Sequence, residues 1–393
     1  MSERWLEPVS EPGSDRGAER TPETVTELVQ ELLRPEFRGQ AAYGAPQLDV
    51  PVQLNVNENS YSVPPVVARS IVEAIEAEVA NLNRYPDREF SALRKALAEY
   101  LEQQAGVRLD LEQLWAANGS NEVLQHILMA FGGPGRRALG FVPSYSMHEL
   151  ISRATGTEWI AGRRDEHFDL SAEDAVAQVR DSDPDVIFLC SPNNPTGTAL
   201  GAEVIDAVLE ASRGVVIVDE AYFEFAREGT RSALQLLAGN ARLVVSRTMS
   251  KAFAFAGARV GYLAAAPEVV DGLRIVRLPY HLSSLTQAAA GAALAHSEIL
   301  LSNVEALKAQ RDRIVQTLAG WGLQPVPSDS NFVLFGGLDD PTATWQALLD
   351  RGVLIRDLHI PGHLRVNAGT PEETTAFLAA LADALGLDAS LIN

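Results

Sequence analysis

A chain of 393 residues, 46% of them apolar and 21% charged, is long enough to bury a large core, and its length favours two domains. The formal net charge of −20 argues against nucleic acid or an anionic membrane surface as a partner, so an anionic substrate would need a local cationic pocket. The single cysteine, Cys190, excludes an internal disulfide, and no apolar stretch approaches the length of a bilayer span. We therefore expect a soluble, cytoplasmic protein.

The beginning of the chain predicts a tail and a short helix. Residues 1–20 are rich in Glu, Pro, Ser, Gly and Arg, which favours disorder. Thr21-Pro22 is typical of a helix start, and apolar residues from Val25 to Leu33 form one stripe until Pro35 ends it. Such a helix must pack on its own chain or on a partner subunit. A second helix is predicted from Pro65 to about Leu82.

After a helix predicted at Ser91–Gln104, short apolar strands alternate with helices. The predicted strands are Leu114–Ala117, Ala138–Phe141, Val186–Cys190, Val215–Val218, Leu243–Ser246 and Gly261–Ala264. Nearly continuous apolar strands between helices are typical of a mostly parallel sheet covered on both faces, which places the chain in the α/β class. Ligands of such sheets bind at the carboxyl ends of the strands.

The last third of the chain predicts a smaller α+β unit. A long helix from about Leu285 to Leu318, broken near His296, comes first. Further helices are predicted at Pro341–Arg351 and Pro371–Leu385, with strands at Phe332–Phe335 and Leu364–Val366.

One lysine stands among small, hydroxyl and aromatic residues. Lys251 follows a predicted strand and has Ser250, Ala252 and Phe253 as neighbours. Desolvation lowers the pKa of such an amine and makes it a better nucleophile toward a carbonyl group. Arg259, eight positions on, suits a phosphate dianion. Pyridoxal phosphate (PLP) enzymes need both groups, although an exposed lysine and arginine on a loop would give the same pattern.

Two predicted turns, each directly after a predicted strand, carry polar hydrogen-bond donors. Asn118-Gly-Ser-Asn-Glu122 precedes an amphipathic helix, and the free N–H groups of a helix N-terminus bind phosphate. Gly119 allows close approach and Ser120 adds a hydroxyl, although a helix cap alone would use the same residues. Ser191-Pro-Asn-Asn-Pro-Thr-Gly197 is a rigid turn that would hold Asn194 as an amide donor, with a plain loop as the alternative.

An aspartate ends the strand that we expect at the centre of the sheet. A carboxylate buried at Asp219 is costly unless it meets a cation. A protonated pyridine nitrogen is such a partner, and Tyr222 could donate a hydrogen bond to the phenolic oxygen of the same ring. An aspartate that caps the next helix is the alternative.

Taken together, these motifs resemble those of the fold-type-I PLP aminotransferases, and within them the histidinol-phosphate aminotransferases of actinobacteria. The resemblance runs from about Tyr43 to Ala384, and Asn194, Asp219 and Lys251 occur in the family's order. The narrower likeness rests on the segments Asn57-Glu-Asn-Ser-Tyr61, Arg84-Tyr-Pro-Asp87, Leu278-Pro-Tyr-His-Leu-Ser-Ser284 and Ser330-Asn-Phe332. It implies a PLP-dependent transferase of fold type I.

With this resemblance the chain divides into four parts. We expect a disordered tail (1–20), an N-terminal arm with part of the small domain (21–80), a large cofactor-binding domain (81–285) and a small C-terminal domain (286–393). The large domain would hold the mostly parallel sheet with helices on both faces, and the active unit would be a homodimer.

The resemblance also implies cofactor roles. Lys251 would form the aldimine with PLP and transfer the proton, while Asp219 would hold the pyridinium nitrogen. Asn194 and Tyr222 would reach the phenolic oxygen. The remaining cofactor residues would be a stacking ring, Tyr145, a phosphate cup of Gly119, Ser120, Asn121, Thr248, Ser250 and Arg259, and Tyr85 lent across the dimer interface.

On the substrate side, Arg365 resembles the arginine that binds a carboxylate. Arg356 would bind the substrate's phosphate, although a surface salt bridge with Asp357 or another acid is the alternative. Asn331 could touch the carboxylate. Tyr61 and Tyr280 would complete the pocket, in which Ser60 and Asn367-Ala368 depart from the family's usual residues. No metal site is predicted, because the spacing of the histidines, among them His148, does not suit one, and Cys190 is expected to pack.

The implied reaction exchanges an amino group between L-histidinol phosphate and 2-oxoglutarate in histidine biosynthesis. An aminotransferase for phenylalanine or tyrosine is the first alternative, because a pocket for an imidazole often accepts a benzene ring. A regulatory domain without catalysis is a second, which the intact Lys251 and Asp219 disfavour. A decarboxylase or lyase is a third, because the fold does not select among these chemistries.

Overall fold

The computed structural model describes residues 28–40 and 44–392, in two compact units, one up to Gly44 and the other from Ala45 onward. In the first unit, residues 28–32 are helical (α1) and a 3₁₀ turn follows at Pro35–Phe37. The apolar side chains of Leu28 and Leu32 are exposed. The predicted tail and the helix start at Thr21 lie outside the described residues.

The second unit is built on a seven-stranded sheet. Its strands are β2 (Leu114–Ala117), β3 (Arg137–Val142), β4 (Glu158–Arg163), β5 (Val186–Cys190), β6 (Val215–Asp219), β7 (Leu243–Thr248) and β8 (Gly261–Ala265). They lie in the order β2-β8-β7-β6-β5-β3-β4. β8 is antiparallel to its neighbours β2 and β7, and the other pairs are parallel, which confirms the predicted mostly parallel α/β fold.

Eleven further helices connect and cover these strands in the described chain. Proline at the first helical turn, as in α2 and α12, fixes the backbone where an N–H has no partner. The helices are α2 (Pro65–Val79), α3 (Ser91–Ala105), α4 (Ser120–Phe131), α5 (Ser146–Ala154), α6 (Ala172–Ser182), α7 (Ala202–Ala211), α8 (Pro267–Val276), α9 (Ser284–Leu294), α10 (Ser297–Gly320), α11 (Pro341–Leu349) and α12 (Pro371–Leu385). The predicted break near His296 separates α9 from α10. None of the helices in the described residues combines the length and the hydrophobicity that crossing a bilayer requires.

A second hydrophobic core lies under two small sheets. β1 (Val52–Gln53) pairs in parallel with β11 (Val353–Leu354), while β10 (Phe332–Gly336) lies between β12 (Leu364–Asn367) and β9 (Gln324–Pro325). This core joins Leu54 to residues from α10, α12 and these strands. An early segment of the chain therefore packs with its last third, and the predicted domain boundaries stay a prediction.

The strand register brings the polar motifs to one edge of the large sheet. Cys190, Asp219 and Ser246 are paired across the ends of β5, β6 and β7. Thr248 is opposite Gly261 at the start of β8, which is antiparallel. The turns that follow the parallel strands therefore meet at a single edge, where ligands of such sheets bind.

Candidate active site

Lys251 follows β7 as a largely enclosed amine. Its Nζ donates a hydrogen bond to the backbone oxygen of Val56 at 3.2 Å. Burial lowers the pKa of the Lys251 amine to about 8, and the positive charges of Arg365 and Arg259 act in the same direction. An amine with this pKa is partly neutral near neutral pH, so it can attack a carbonyl group.

Asp219, at the end of β6, is only 2% exposed and is held on both carboxylate oxygens. Nε2 of His148 lies 3.0 Å from Oδ2, and the Ser246 hydroxyl donates to Oδ1 at 3.3 Å. The His148 ring stacks on Phe188 with the ring centroids 4.5 Å apart. His148 is not among the predicted site residues, although its place in the first turn of α5, three residues after Tyr145, is a signal that could have identified it.

Tyr222 lies at the centre of a buried network of amides. Its hydroxyl accepts hydrogen bonds from Nδ2 of Asn57 at 2.8 Å and from Nδ2 of Asn194 at 3.3 Å. Arg365 donates from Nη1 to Oδ1 of Asn194 at 2.5 Å and from Nη2 to the backbone oxygen of Asn55 at 3.0 Å. Burial raises the pKa of the Tyr222 hydroxyl above its ordinary value, so the group keeps its proton. Asn194 and Tyr222, predicted to act together, are in contact.

The turn after β2 forms a cradle that only glycine permits. Gly119 has a φ of +89°, and a Cβ there would lie 2.5 Å from Nη2 of Arg259. A Cβ on Gly261 would collide with the backbone nitrogen of Ser120. The N-terminus of α4 and the Arg259 guanidinium are therefore adjacent, and both attract an anion.

Two further pairs of the predicted cofactor residues are in contact. The Thr248 hydroxyl accepts the N–H of Ser250 at 3.1 Å and lies 3.0 Å from its hydroxyl. The Tyr145 hydroxyl donates to Oδ1 of Asn121 at 3.2 Å, which places the ring beside the first turn of α4. The structure thus connects each of these four residues to a neighbour from the same predicted set.

The backbones of Arg356 and Arg365, two of the predicted substrate residues, are paired with each other. Each backbone N–H donates to the other residue's carbonyl oxygen, at 2.9 and 3.0 Å, in an antiparallel bridge. Residues paired in this way project their side chains to the same face. Within the described chain the Arg356 guanidinium has no ion-pair partner. Asp357 instead accepts hydrogen bonds from the Thr342 hydroxyl and the His359 N–H.

The other predicted substrate residues occupy different environments. Asn331 is fully buried and donates from Nδ2 to the backbone oxygen of Asn57 at 3.1 Å. Tyr61 is half-buried against the larger core. Tyr85 and Tyr280 instead stack on each other with the ring centroids 4.4 Å apart, and they are 80% and 39% exposed.

His148, Cys190 and Asp219 place potential metal ligands within 4.8 Å of one another. Burial raises the pKa of the Cys190 thiol far above its ordinary value, whereas metal ligation requires the thiolate. The Asp219 carboxylate is already held by His148 and Ser246. The arrangement is therefore better explained as His148 and Ser246 supporting the Asp219 carboxylate than as a metal site.

The groups at this edge of the sheet are complementary to the functional groups of PLP. A partly neutral amine at Lys251 suits the aldehyde, and the buried Asp219 carboxylate suits the protonated pyridine nitrogen. The Tyr222 network suits the phenolic oxygen, and the cradle at Gly119 suits the phosphate. The fold and the site together are those expected of an α/β enzyme that uses PLP.

The family is identified by comparison with known proteins. The model of the aminotransferase class I and II family matches residues 50–381, and the chain belongs to that family. It is 62% identical over 352 residues to histidinol-phosphate aminotransferase of Paenarthrobacter aurescens (strain TC1), and the aligned residues cover 89% of this chain and 94% of that protein. It is 56% identical over 354 residues to histidinol-phosphate aminotransferase of Thermobifida fusca (strain YX), covering 90% and 95%.

Solved structures share the fold at lower identity. Histidinol-phosphate aminotransferase from Sinorhizobium meliloti, in complex with pyridoxal-5'-phosphate, superposes with a TM-score of 0.76 at 24% identity, covering 86% of this chain and 91% of that one. Aspartate aminotransferase from Thermus thermophilus, with maleate, superposes with a TM-score of 0.73 at 22% identity, covering 95% and 100%. Because enzymes named for different substrates share this fold, the substrate must be argued from the site.

Proposed function

We propose that this chain is a cytoplasmic, PLP-dependent aminotransferase that exchanges an amino group between L-histidinol phosphate and 2-oxoglutarate in histidine biosynthesis. The observation that carries the substrate class is the bridge between Arg356 and Arg365. The bridge directs both arginine side chains to the same face of the paired backbone, in a protein whose net charge is −20. Such a pair suits a phosphate or dicarboxylate substrate better than an uncharged one.

Different residues of the chain have different roles in this reaction. Bound PLP supplies an electron sink and carries the amino group from the donor to the acceptor. In one half-reaction the Lys251 amine would take a proton from the donor's reacting carbon and deliver it to the cofactor, and in the other it would carry a proton from the cofactor to the acceptor's carbon. Asp219 keeps a proton on the pyridine nitrogen, and His148 with Ser246 fixes the direction of that carboxylate.

The two substrates present different anions to the same face. L-histidinol phosphate has a phosphate and no carboxylate, whereas the acceptor has two carboxylates. Arg365, which reaches Asn194, binds a carboxylate of the acceptor and lies near the phosphate in the other half-reaction. Arg356, whose guanidinium has no ion-pair partner in the described residues, binds the phosphate. The names of the similar proteins support this donor.

A donor panel tests the assignment. kcat/KM is measured with 2-oxoglutarate and L-histidinol phosphate, L-phenylalanine or L-tyrosine on PLP-saturated protein. We expect a preference of roughly 100-fold or more for histidinol phosphate, which is about 3 kcal/mol of discrimination in the transition state. A preference for phenylalanine would keep the cofactor roles and replace the donor with an aromatic amino acid.

Arg356→Ala is expected to change donor selectivity. Loss of a charge-assisted hydrogen bond should lower kcat/KM for histidinol phosphate by about tenfold to 100-fold. Phenylalanine has no phosphate, so its kcat/KM should change by less than about threefold. Arg351→Ala, which removes an arginine paired with Asp383 at the surface, is the matched control and should affect neither donor. Equal losses for both donors in Arg356→Ala would assign Arg356 a structural role.

A homodimer is the second part of the proposal. The stack of Tyr85 on Tyr280 joins two segments that expose large apolar side chains, Leu82 on one and Ile275 and Leu278 on the other. Leu278 and Ile275 are 76% and 85% exposed. Exposed apolar side chains brought together in this way are typical of protein interfaces. In such a dimer Tyr85 would lend its hydroxyl to the phosphate of the cofactor in the neighbouring subunit, as the family resemblance implies.

Subunit mixing tests the role of Tyr85 across that interface. Tyr85→Ala and Lys251→Ala are each expected to be poorly active alone at limiting PLP. A mixed dimer has one site with both native residues, so random assembly should recover about a quarter of wild-type activity. If the mixture shows only the sum of its parents, Tyr85 does not act on the neighbouring site. Light scattering on the same samples establishes the number of subunits.

A further inference from the structure

The segment 54–59 crosses the site and contacts several of its functional groups. The backbone oxygen of Asn55 accepts a hydrogen bond from Arg365, and that of Val56 accepts one from Lys251. The segment is fixed just before this point, because Leu54 exchanges backbone hydrogen bonds with Leu354 and Asn367. Side chains of this segment are therefore held at defined positions in the site.

Asn57 is held in a conformation that few residue types adopt. Its φ is +58°, in the left-handed region that favours glycine and, after it, asparagine. Its side chain is 2% exposed, and its backbone oxygen accepts a hydrogen bond from Nδ2 of Asn331. The buried amide and the unusual backbone both point to a specific task at this position.

That task concerns the proton of Tyr222. A hydroxyl can accept two hydrogen bonds and donate one. Both acceptor positions of Tyr222 are filled, by Nδ2 of Asn57 at 2.8 Å and by Nδ2 of Asn194 at 3.3 Å. The Asn194 amide cannot reverse, because its Oδ1 is bound by Arg365. With Nδ2 of Asn57 facing Tyr222 and Oδ1 of Asn57 turned away, the Tyr222 proton meets no acceptor among the described residues, so it remains available for a bound molecule.

We infer that Asn57 is a positioning residue which, together with Asn194, directs the Tyr222 proton toward the phenolic oxygen of PLP. This inference rests on the proposed use of PLP and extends it to a residue outside the predicted set. Asn57 itself touches Tyr222, whereas the proton reaches the cofactor from the tyrosine. Removing the amide would free the Tyr222 hydroxyl to rotate, and its proton would no longer favour one direction.

The test uses Asn57→Gly, because glycine tolerates the positive φ while the side chain with its amide is removed. Two quantities are measured: the Kd of the cofactor-free protein for PLP, and the pH midpoint at which the visible absorbance of bound PLP changes. A hydrogen bond to the ring oxygen favours its deprotonated form, so losing that bond should raise the pH midpoint. We expect Kd to rise about threefold to tenfold, the loss of one hydrogen bond.

A double-mutant cycle separates positioning from simple loosening of the segment. In the Tyr222→Phe background there is no proton to direct, so Asn57→Gly should add almost nothing to either quantity. Asn59→Gly is the control, because Asn59 bonds the backbone oxygen of Ala252 instead of the tyrosine. Its effect should persist unchanged when Tyr222 is phenylalanine.

The outcomes separate this inference from the function on which it rests. If the wild-type protein fails to bind PLP, the proposed function itself is wrong. If the wild-type protein binds PLP while Asn57→Gly has no effect, or has an effect that adds fully to that of Tyr222→Phe, then only the role of Asn57 is overturned. Coupled effects that are absent for Asn59→Gly support it.

Discussion

Lys251→Ala should lower kcat by more than about 10⁴-fold, because it removes both the nucleophile and the general base. The folded protein should remain, since Lys251 makes one hydrogen bond, to the backbone oxygen of Val56. Turnover of histidinol phosphate is the measurement, with circular dichroism as the check on folding. Lys95→Ala is the control, because this side chain is 72% exposed and lies only at the edge of an ion-pair distance from Glu99.

The pH dependence of PLP incorporation tests the state of that amine. With a pKa of about 8, Lys251 is mostly protonated and unreactive at pH 6, and mostly neutral above pH 8. The rate at which cofactor-free protein takes up PLP should therefore rise with a midpoint near that pKa. Borohydride reduction and mass spectrometry then locate the modified residue, with Lys95 and Lys308 as the other candidates in the chain. Comparable labelling of either, or retained turnover in Lys251→Ala, would contradict the mechanism.

Most of the fold is visible in the sequence because buried strands have a strong local signature. The apolar runs at 186–190 and 215–218 have polar residues at both ends, and the strands β5 and β6 lie within one residue of those limits. The turns with polar residues follow directly, so the sequence alone predicts Asn194 and Asp219 as candidate site residues. β4 was missed because Glu158 and Arg163 close a half-exposed edge strand whose apolar run is short.

Contacts between distant segments could not be read from local patterns. His148 is bound to Asp219 and Asn57 to Tyr222, and in each pair the partners lie far apart in the chain. Spacing identified neither partner, because only the packed fold brings them together. The backbone of Asn57 gives a weak local signal, since asparagine is among the residues that tolerate a positive φ.

A buried ion pair beside the ends of β6 and β7 is another feature that could not be predicted from the sequence. Arg247 of β7 is 1% exposed and donates from Nε and Nη2 to Oε2 of Glu220, at 3.0 and 2.8 Å. Its Nη1 donates to Gln104 at 2.8 Å, and the Ser232 hydroxyl bonds both members of the pair. Burial alone would lower the pKa of the Arg247 guanidinium, but Glu220 and then Glu224 raise it above its ordinary value.

Arg247→Met should destabilise the protein by about 3–5 kcal/mol, because the Glu220 carboxylate would be left buried and unpaired. The measurement is urea unfolding at one protein concentration and saturating PLP, since ligand and subunit binding both shift the apparent stability. Arg213→Met is the matched control. Arg213 also bonds a carboxylate, that of Asp183 at 2.6 Å, but the pair is exposed and its loss should have little effect.

The double variant Arg247→Met with Glu220→Gln distinguishes a lost charge balance from lost packing. Removing both charges should restore part of the stability, because the Glu220 charge is gone and only Glu224, 3.7 Å from Arg247 in the wild-type protein, loses its cation. A double variant less stable than Arg247→Met would show that packing dominates. Glu220 follows Asp219 and Arg247 precedes Thr248, so the pair joins two strand ends that carry predicted cofactor residues. The Kd for PLP should therefore rise in Arg247→Met and recover in the double variant, whereas Arg213→Met should leave it unchanged.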